Sequence, residues 1–555
     1  MIRSLALGSL CLVGLAGPVA AEVTPAPIFG DHMVLQGGVK APVFGTTEPG
    51  GSVSVTASIV ELEPESDVDT PEVDASLQYS EPVAVTVTAD ADGRWQTEIG
   101  PYDVGQKLKI EIFDADADPA EVTAASAAGK DSANFASFED VLTGDVWLCS
   151  GQSNMEWALA NTIDATREAK AVADDELRLF TVPKHSVREP QLSLKGKPGQ
   201  REPSAGQWVK LSRKAVEPFS AVGYYFGKAI RNATGRPVGL IDSTWGGTPS
   251  EAWTRESTLK TLKTTAPLYK RWDKVDADFA EKGSTEETWS RDLSPTHPHH
   301  PGNLNNGMIV PLVPFALKGA IWYQGESNAS RAEQYDEIFP AMIEDWRDQF
   351  GQKIPFYWVQ LANYQQYQEN PNAVSKWAEL RESQDKTLDE LENVGQAVIL
   401  DIGEANDIHP RNKKDVGQRL ALAALRGVYE IDRDGMLSPR FKEATMEGDT
   451  ATITFDVDGD VLQVRRDESV GADGAAPNEL LGFTVAGKDQ TFYRARATVT
   501  APNTVTVVAP EEVSEIASVR YGWADNPRVT LFNTRGIPAA PFRTDDWPGV
   551  TDGWY

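Results

Sequence analysis

Cysteine is almost absent from this chain: two in 555 residues, Cys11 and Cys149. Because Cys11 lies in an N-terminal stretch that reads as removable, no intrachain disulfide is expected, and stability has to come from packing. Positive charge is also scarce, with 52 Lys and Arg against 82 Asp and Glu and a formal charge of −30. A balance that acidic argues against nucleic acid and anionic membranes as partners and says nothing about a substrate. After the first twenty residues no apolar run is long enough to suggest a membrane span. Histidine is limited to six residues, which keeps the search for a catalytic base short.

What is present starts with Met1 to Ala21: one early charge, Arg3, an apolar stretch and then Val19-Ala20-Ala21, whose small residues suit signal-peptidase cleavage. Residues 1–21 are therefore expected to be a signal peptide and the mature chain to be exported, periplasmic or secreted; a membrane anchor is the rival reading. Residues 22–140 alternate in β fashion, as in "EPVAVTVTADADGRWQTEIG", and predict a β-sandwich domain. Within it the acidic run 61–76 reads as a solvated excursion. Residues 141–430 change character: "DVWLCS", "VGLIDSTWGG", "LKGAIWYQGES", "PFYWVQLA" and "AVILDIGEA" are apolar strands separated by helical stretches. That alternation predicts an α/β domain with a parallel sheet covered on both faces. β character returns over 431–518, and 519–555 closes the chain.

The tips of these strands carry the chemistry. "VWLCSGQSNMEW" delivers Ser153 at the end of a buried strand, where open α/β sheets place ligand chemistry. The residues that follow can begin a helix, whose N–H groups would face developing negative charge. Helix capping is the plainer duty for such a serine. A nucleophilic serine needs a base. His32 lies in the N-terminal β region, His297, His299 and His300 in the proline-broken "SPTHPHHPGN", which reads as a surface loop, and His185 has no acid just before it. His409 follows a buried strand, with Asp407 two residues earlier, and is the strongest candidate. "STWGGTPSEAW" contributes Gly246 and Gly247, and "WYQGESN" contributes Asn328; glycine N–H groups and an asparagine amide can form an oxyanion hole, although each segment could equally be a tight turn.

Together these motifs resemble the sialate O-acetylesterase-like group of SGNH hydrolases, over nearly the whole mature chain: "FGDHMVLQ", "GQSNMEW", "WGGTPSEAW", "WYQGESN", "NDIHPRNKKDVGQRLA" and the terminal "RYGWADNP". The resemblance implies a flavodoxin-like three-layer α/β catalytic domain with β-sandwich or jelly-roll-like accessory regions at both ends. It implies Ser153 as nucleophile, His409 as base, and an oxyanion hole of the Ser153 backbone, Gly246 or Gly247, and Asn328. Gln152, Gln324 and Glu326 are expected to contact substrate. One position departs from the pattern: three residues before the histidine stands Asn406. Asp407 is therefore taken as the orienting acid, with Glu404, Asp401 or a backbone carbonyl as rivals. The implied function is removal of O-acetyl groups from carbohydrate, with neither metal nor cofactor. The alternatives are a non-catalytic carbohydrate-binding protein on the same scaffold and a metallohydrolase using "HPHHP". A short insertion, 254–302, carries Trp272 and Trp289, which read as packing residues before they read as sugar platforms.

Overall fold

The computed structural model describes residues 22–61, 78–79, 81–128, 134–170, 172, 174–195, 204–282, 294–465 and 480–554. The expected signal segment, nearly all of the acidic run and Trp289 lie outside the described residues. The described residues divide into two compact units, one made of those within 22–25, 43–99 and 109–138, the other of those within 26–42, 100–108 and 139–554. Residues 26–42 and 100–108 group with the larger unit. The reason is pairing: Val34–Gln36 runs parallel to Leu142–Gly144, and the Trp208 indole N–H donates to the Ile28 carbonyl at 2.8 Å. The smaller unit is β-rich, with Ser52–Glu61 antiparallel to Val83–Thr88 and Val53, Val55, Trp95 and Ile112 buried.

In the larger unit seven strands form the frame: β1 (Phe135–Gly151), β2 (Leu177–Thr181), β3 (Trp208–Lys210), β4 (Val238–Thr244), β5 (Gly319–Tyr323), β6 (Phe356–Val359) and β7 (Val394–Ala397). Their order is β3-β2-β4-β1-β5-β6-β7, and all neighbours are parallel except β3. The continuous apolar runs are accounted for by burial: β4, β5, β6 and β1 from Val141 onward have no exposed residue. Central β1 is flanked by β4 on one side and β5 on the other, so its carboxyl end lies where the connections change direction. Ser153 follows that end by two residues.

Helices pack against the sheet through local signals readable in the sequence. The helix α2 (Ala221–Thr234) is capped by the Ser220 hydroxyl, which accepts the Gly223 N–H at 3.0 Å, and stops at Gly235 in the left-handed region. It meets α5 (Lys413–Gly427) at Gly417, where an added Cβ would lie 2.7 Å from the Tyr225 side chain. By contrast, the helix expected after Ser153 lasts one turn, α1 (Ser153–Glu156). Trp157 leaves helical geometry at φ −53°, ψ 113°, and Ala158 bridges to Ser220 instead. Toward the C-terminus two four-stranded antiparallel sheets enclose one apolar core that includes Ile453, Phe455, Phe483, Val505, Tyr521 and Phe542. No helix among the described residues is long and apolar enough to cross a membrane.

Candidate active site

β1 ends in Gly151 at φ +140°, where an added Cβ would lie 2.2 Å from the Tyr323 carbonyl oxygen. Only glycine lets the strand tip turn this close to β5. The Gln152 N–H donates to that same carbonyl at 3.0 Å, and its side-chain oxygen accepts the Ser327 N–H at 3.2 Å. Ser153 is thus set on a tip tied by hydrogen bonds to the loop after β5. Its Oγ lies 2.8 Å from His409 Nε2.

His409 arrives on the long connection between β7 and α5. Asp407 Oδ1 accepts the His409 backbone N–H at 2.9 Å and stands 3.3 Å from Nδ1. With Nδ1 carrying its proton toward Asp407, Nε2 is free to accept one from Ser153. The rival acids are engaged elsewhere: Glu404 accepts the Arg411 N–H and Nε–H at 3.0 and 3.1 Å, and Asp401 pairs with Arg419 at 2.6 Å. The Trp157 ring stacks on the imidazole at 4.9 Å and 16°. Burial, and then the charge of Lys413, lower the His409 pKa below its ordinary value, against the opposing pull of Asp407 and Glu156. The neutral imidazole therefore persists into mildly acidic solution, as a general base requires.

The other expected donors and contacts have different duties. Gly246 lies against Ser153, where an added Cβ would be 3.3 Å from the Ser153 Cβ, but its N–H is taken at 2.5 Å by Glu156, which Lys184 holds in an ion pair. Gly247 turns at φ +77°, and its carbonyl accepts the Ser327 hydroxyl at 2.8 Å. Asn328 is fully buried; its amide N–H donates to Glu251 at 2.9 Å and its oxygen accepts the Ser250 N–H at 3.0 Å. It ties two loops together. Of the residues expected to contact substrate, Gln152 and Gln324 are buried, and although Glu326 is partly exposed as a residue, its Oε2 is buried. Glu326 Oε1 accepts from the Asn154 amide at 2.5 Å, and burial raises the pKa of its carboxyl.

The reading of the sequence missed four participants: Asn154, Glu156, Trp157 and Lys413. The first three lie inside "SNMEW" and the fourth is four residues beyond His409, but no spacing rule assigns them a task. "SPTHPHHPGN" also differs from the expected surface loop. His300 is 2% exposed and packs on Trp272 with ring centres 4.5 Å apart, and burial lowers His297 to about 4. Trp272, on the helix Ala266–Lys282, provides the wall that closes this segment. His32 pairs with Asp140 at 2.8 Å. Among the described residues no three His, Cys, Asp or Glu side chains are grouped to hold a metal ion. Ser153, Glu156, Trp157, Arg213, Glu217 and His409 help to line a cavity of about 880 Å³.

Comparison with known proteins places the chain in a family. The family described as "Carbohydrate esterase, sialic acid-specific acetylesterase" matches residues 279–426. The sialate O-acetylesterase of Mus musculus is 28% identical over 92% of this chain and 92% of its own length; that of Rattus norvegicus is 28% identical over 73% and 78%. The crystal structure of a carbohydrate acetylesterase from Xanthomonas citri is 35% identical, with a TM-score of 0.73 over 95% of this chain and all of its own. The chain belongs to the sialate O-acetylesterase-like carbohydrate esterases and is a carboxylic ester hydrolase.

Proposed function

We propose that this protein is an exported serine esterase that removes O-acetyl groups from sialic acid or from plant or algal polysaccharide side chains. The observation that carries the proposal is the 2.8 Å contact between Ser153 Oγ and His409 Nε2 at the carboxyl end of the central strand. His409 takes the Ser153 proton as Oγ attacks the ester carbonyl; the tetrahedral intermediate collapses with release of the sugar hydroxyl, which regains a proton from His409. Water, activated by the same imidazole, then hydrolyses the acetyl-serine to acetate. Asp407 orients the ring and stabilises the imidazolium, a role supported by the pairing of Glu404 and Asp401 with arginines.

The developing oxyanion is stabilised by the Ser153 N–H, the first of helix α1, and by the Gly246 N–H once Glu156 withdraws from it. Asn328 serves by holding the two loops in place. The cavity offers the Trp157 ring together with Arg213, Glu217 and Asn161, the mixture of apolar face and hydrogen-bonding groups that a sugar requires. The three-layer SGNH arrangement is part of the same reading, supported by the parallel sheet order. Export is supported by the pattern of residues 1–21. Acetate release measured over O-acetylated sialic acid, acetylated xylan and acetylated xyloglucan identifies the substrate, and Ser153→Ala is expected to be inactive on all of them. Wild-type acetate release by Ser153→Ala would overturn the proposal.

A further inference from the structure

We infer that Lys413 is a positioning residue of this site: through Asn154 it keeps Ser153 and His409 in register, and its ammonium acts on His409 from behind the Trp157 ring that stacks on the imidazole. The inference rests on the reading that Ser153 and His409 carry the reaction.

The geometry is a short polar chain beneath the reactive pair. Lys413, the first residue of α5, has no exposed surface, and its Nζ donates to Asn154 Oδ1. The Asn154 amide N–H groups donate to Glu326 Oε1 and, at 3.0 Å, to the carbonyl of Ile408. Asn154 follows Ser153 in the chain and Ile408 precedes His409, so one amide touches both backbones that meet at the 2.8 Å contact. The ammonium also lies 5.2 Å from the centre of the Tyr323 ring, at the end of β5, and 5.9 Å from that of Trp157, which stacks on His409.

For stability alone, lysine is a poor choice at this position. A cation at the first turn of a helix opposes the macrodipole, and burial removes its hydration. A neutral side chain would avoid both costs, so the charge points to a task at the site. The charged groups around it are few: Glu326 from the loop after β5, with Asp407 and Glu404 from the His409 loop, act on Lys413, while Asp407, Glu156 and Lys413 act on His409. Burial pulls Lys413 down to about 7, and its charge in turn contributes to the lowering of His409 below its ordinary 6.5. In its protonated form the ammonium carries the charge that opposes protonation of His409.

The test compares Lys413→Met, which removes charge and donor, with Lys413→Gln, which removes the charge and keeps an amide donor. The readouts are the pH profile of kcat/KM on an acetyl ester and the imidazole titration of His409 followed by NMR, the latter in a Ser153→Ala background. In both variants the His409 titration and the acid limb are expected to move to higher pH, by about half a unit or more. Lys413→Met should also lower kcat by about tenfold or more, with Lys413→Gln retaining more of it. Unmoved His409 titrations in both variants would overturn the electrostatic role, and an unchanged kcat in Lys413→Met would overturn the positioning role. If Lys413→Met does not fold, the titration in Lys413→Gln decides. Esterase activity surviving in Ser153→Ala alone would remove the underlying reading, while the NMR titration would still report on Lys413.

Discussion

Ser153 and His409 meet at 2.8 Å, yet they come to that point on opposite kinds of backbone. Ser153 stands two residues beyond β1, which is buried continuously from Val141 and paired on both sides by parallel strands. His409 lies twelve positions after the end of β7, in a connection held by side chains: Asp407 on the His409 N–H, Glu404 on Arg411, Asp401 on Arg419 and Asn154 on Ile408. The place of Ser153 is fixed by the sheet, whereas that of His409 is fixed by a set of individually weak polar contacts. Substitutions on the two arms should therefore fail differently: at the strand tip chemistry is lost with the fold intact, and along the loop loss should be graded.

The largest effects are expected at the pair itself. Ser153→Ala and His409→Ala should each reduce kcat/KM by about five powers of ten or more, as single removals from a nucleophile–base pair do. Thermal unfolding should stay near wild type for Ser153→Ala, since among the described residues the hydroxyl bonds only to His409. A large fall in melting temperature for Ser153→Ala would mean that the strand tip depends on the hydroxyl and would break the comparison.

Next comes Asp407→Asn. The side chain is 46% exposed and 3.3 Å from Nδ1, so its contribution is screened compared with a buried triad acid. We expect a loss of about a hundredfold to a thousandfold in kcat, below the ~10⁴ seen when a buried acid is replaced. The sign of the pH effect follows from the charges: Asp407 raises the His409 pKa, so its removal should move the acid limb to lower pH, opposite to removal of the Lys413 charge. Equal shifts in the same direction would show that neither charge acts on the imidazole.

Much of the Ser153 arm was legible in the sequence, and the reason lies in the same comparison. A buried parallel strand has to be continuously apolar, so "VWLCS" and "LKGAIWY" announce both the sheet and the places where it ends. The distance of His409 from Ser153 in the chain conceals their contact; the scarcity of histidine, the neighbouring Asp407 and the family resemblance narrowed the choice. The hydrogen bonds of Asn328, Gln152, Gln324 and Glu326 were not legible, because a polar side chain that ties two loops is written with the same letter as one that binds a ligand. The helix expected after Ser153 failed for a related reason. Helical propensity there is overridden at Trp157, whose ring is held against His409.

Glu404→Gln gives a smaller effect that sharpens the loop side. Glu404 accepts two N–H groups from Arg411, whose guanidinium is largely exposed, and exposed pairs contribute little. Activity should fall by roughly fivefold or less, through a loosened loop and with no change in the direction of the pH profile. A loss equal to that of Asp407→Asn would transfer the orienting role to Glu404.

The smallest effect tests the strand side by its silence. Cys149 lies in β1, four residues before Ser153, with no exposed surface, and burial followed by the charge of Asp242 raises its pKa well above the ordinary thiol value. Its sulfur is covered by α2, where a Cβ added to Gly223 would come within 3.1 Å. Attack on a thiol reagent requires the thiolate, so both the missing access and the raised pKa suppress it. Labelling of native protein should therefore proceed only as fast as the sheet opens, and should speed up with denaturant in step with global unfolding. Asp407→Asn and Glu404→Gln, which act on the loop, should leave that rate unchanged. Fast labelling in the native protein, or a rate that rises with either loop substitution, would mean that the central strand and the loop open together, and the distinction between a sheet-held Ser153 and a contact-held His409 would fall.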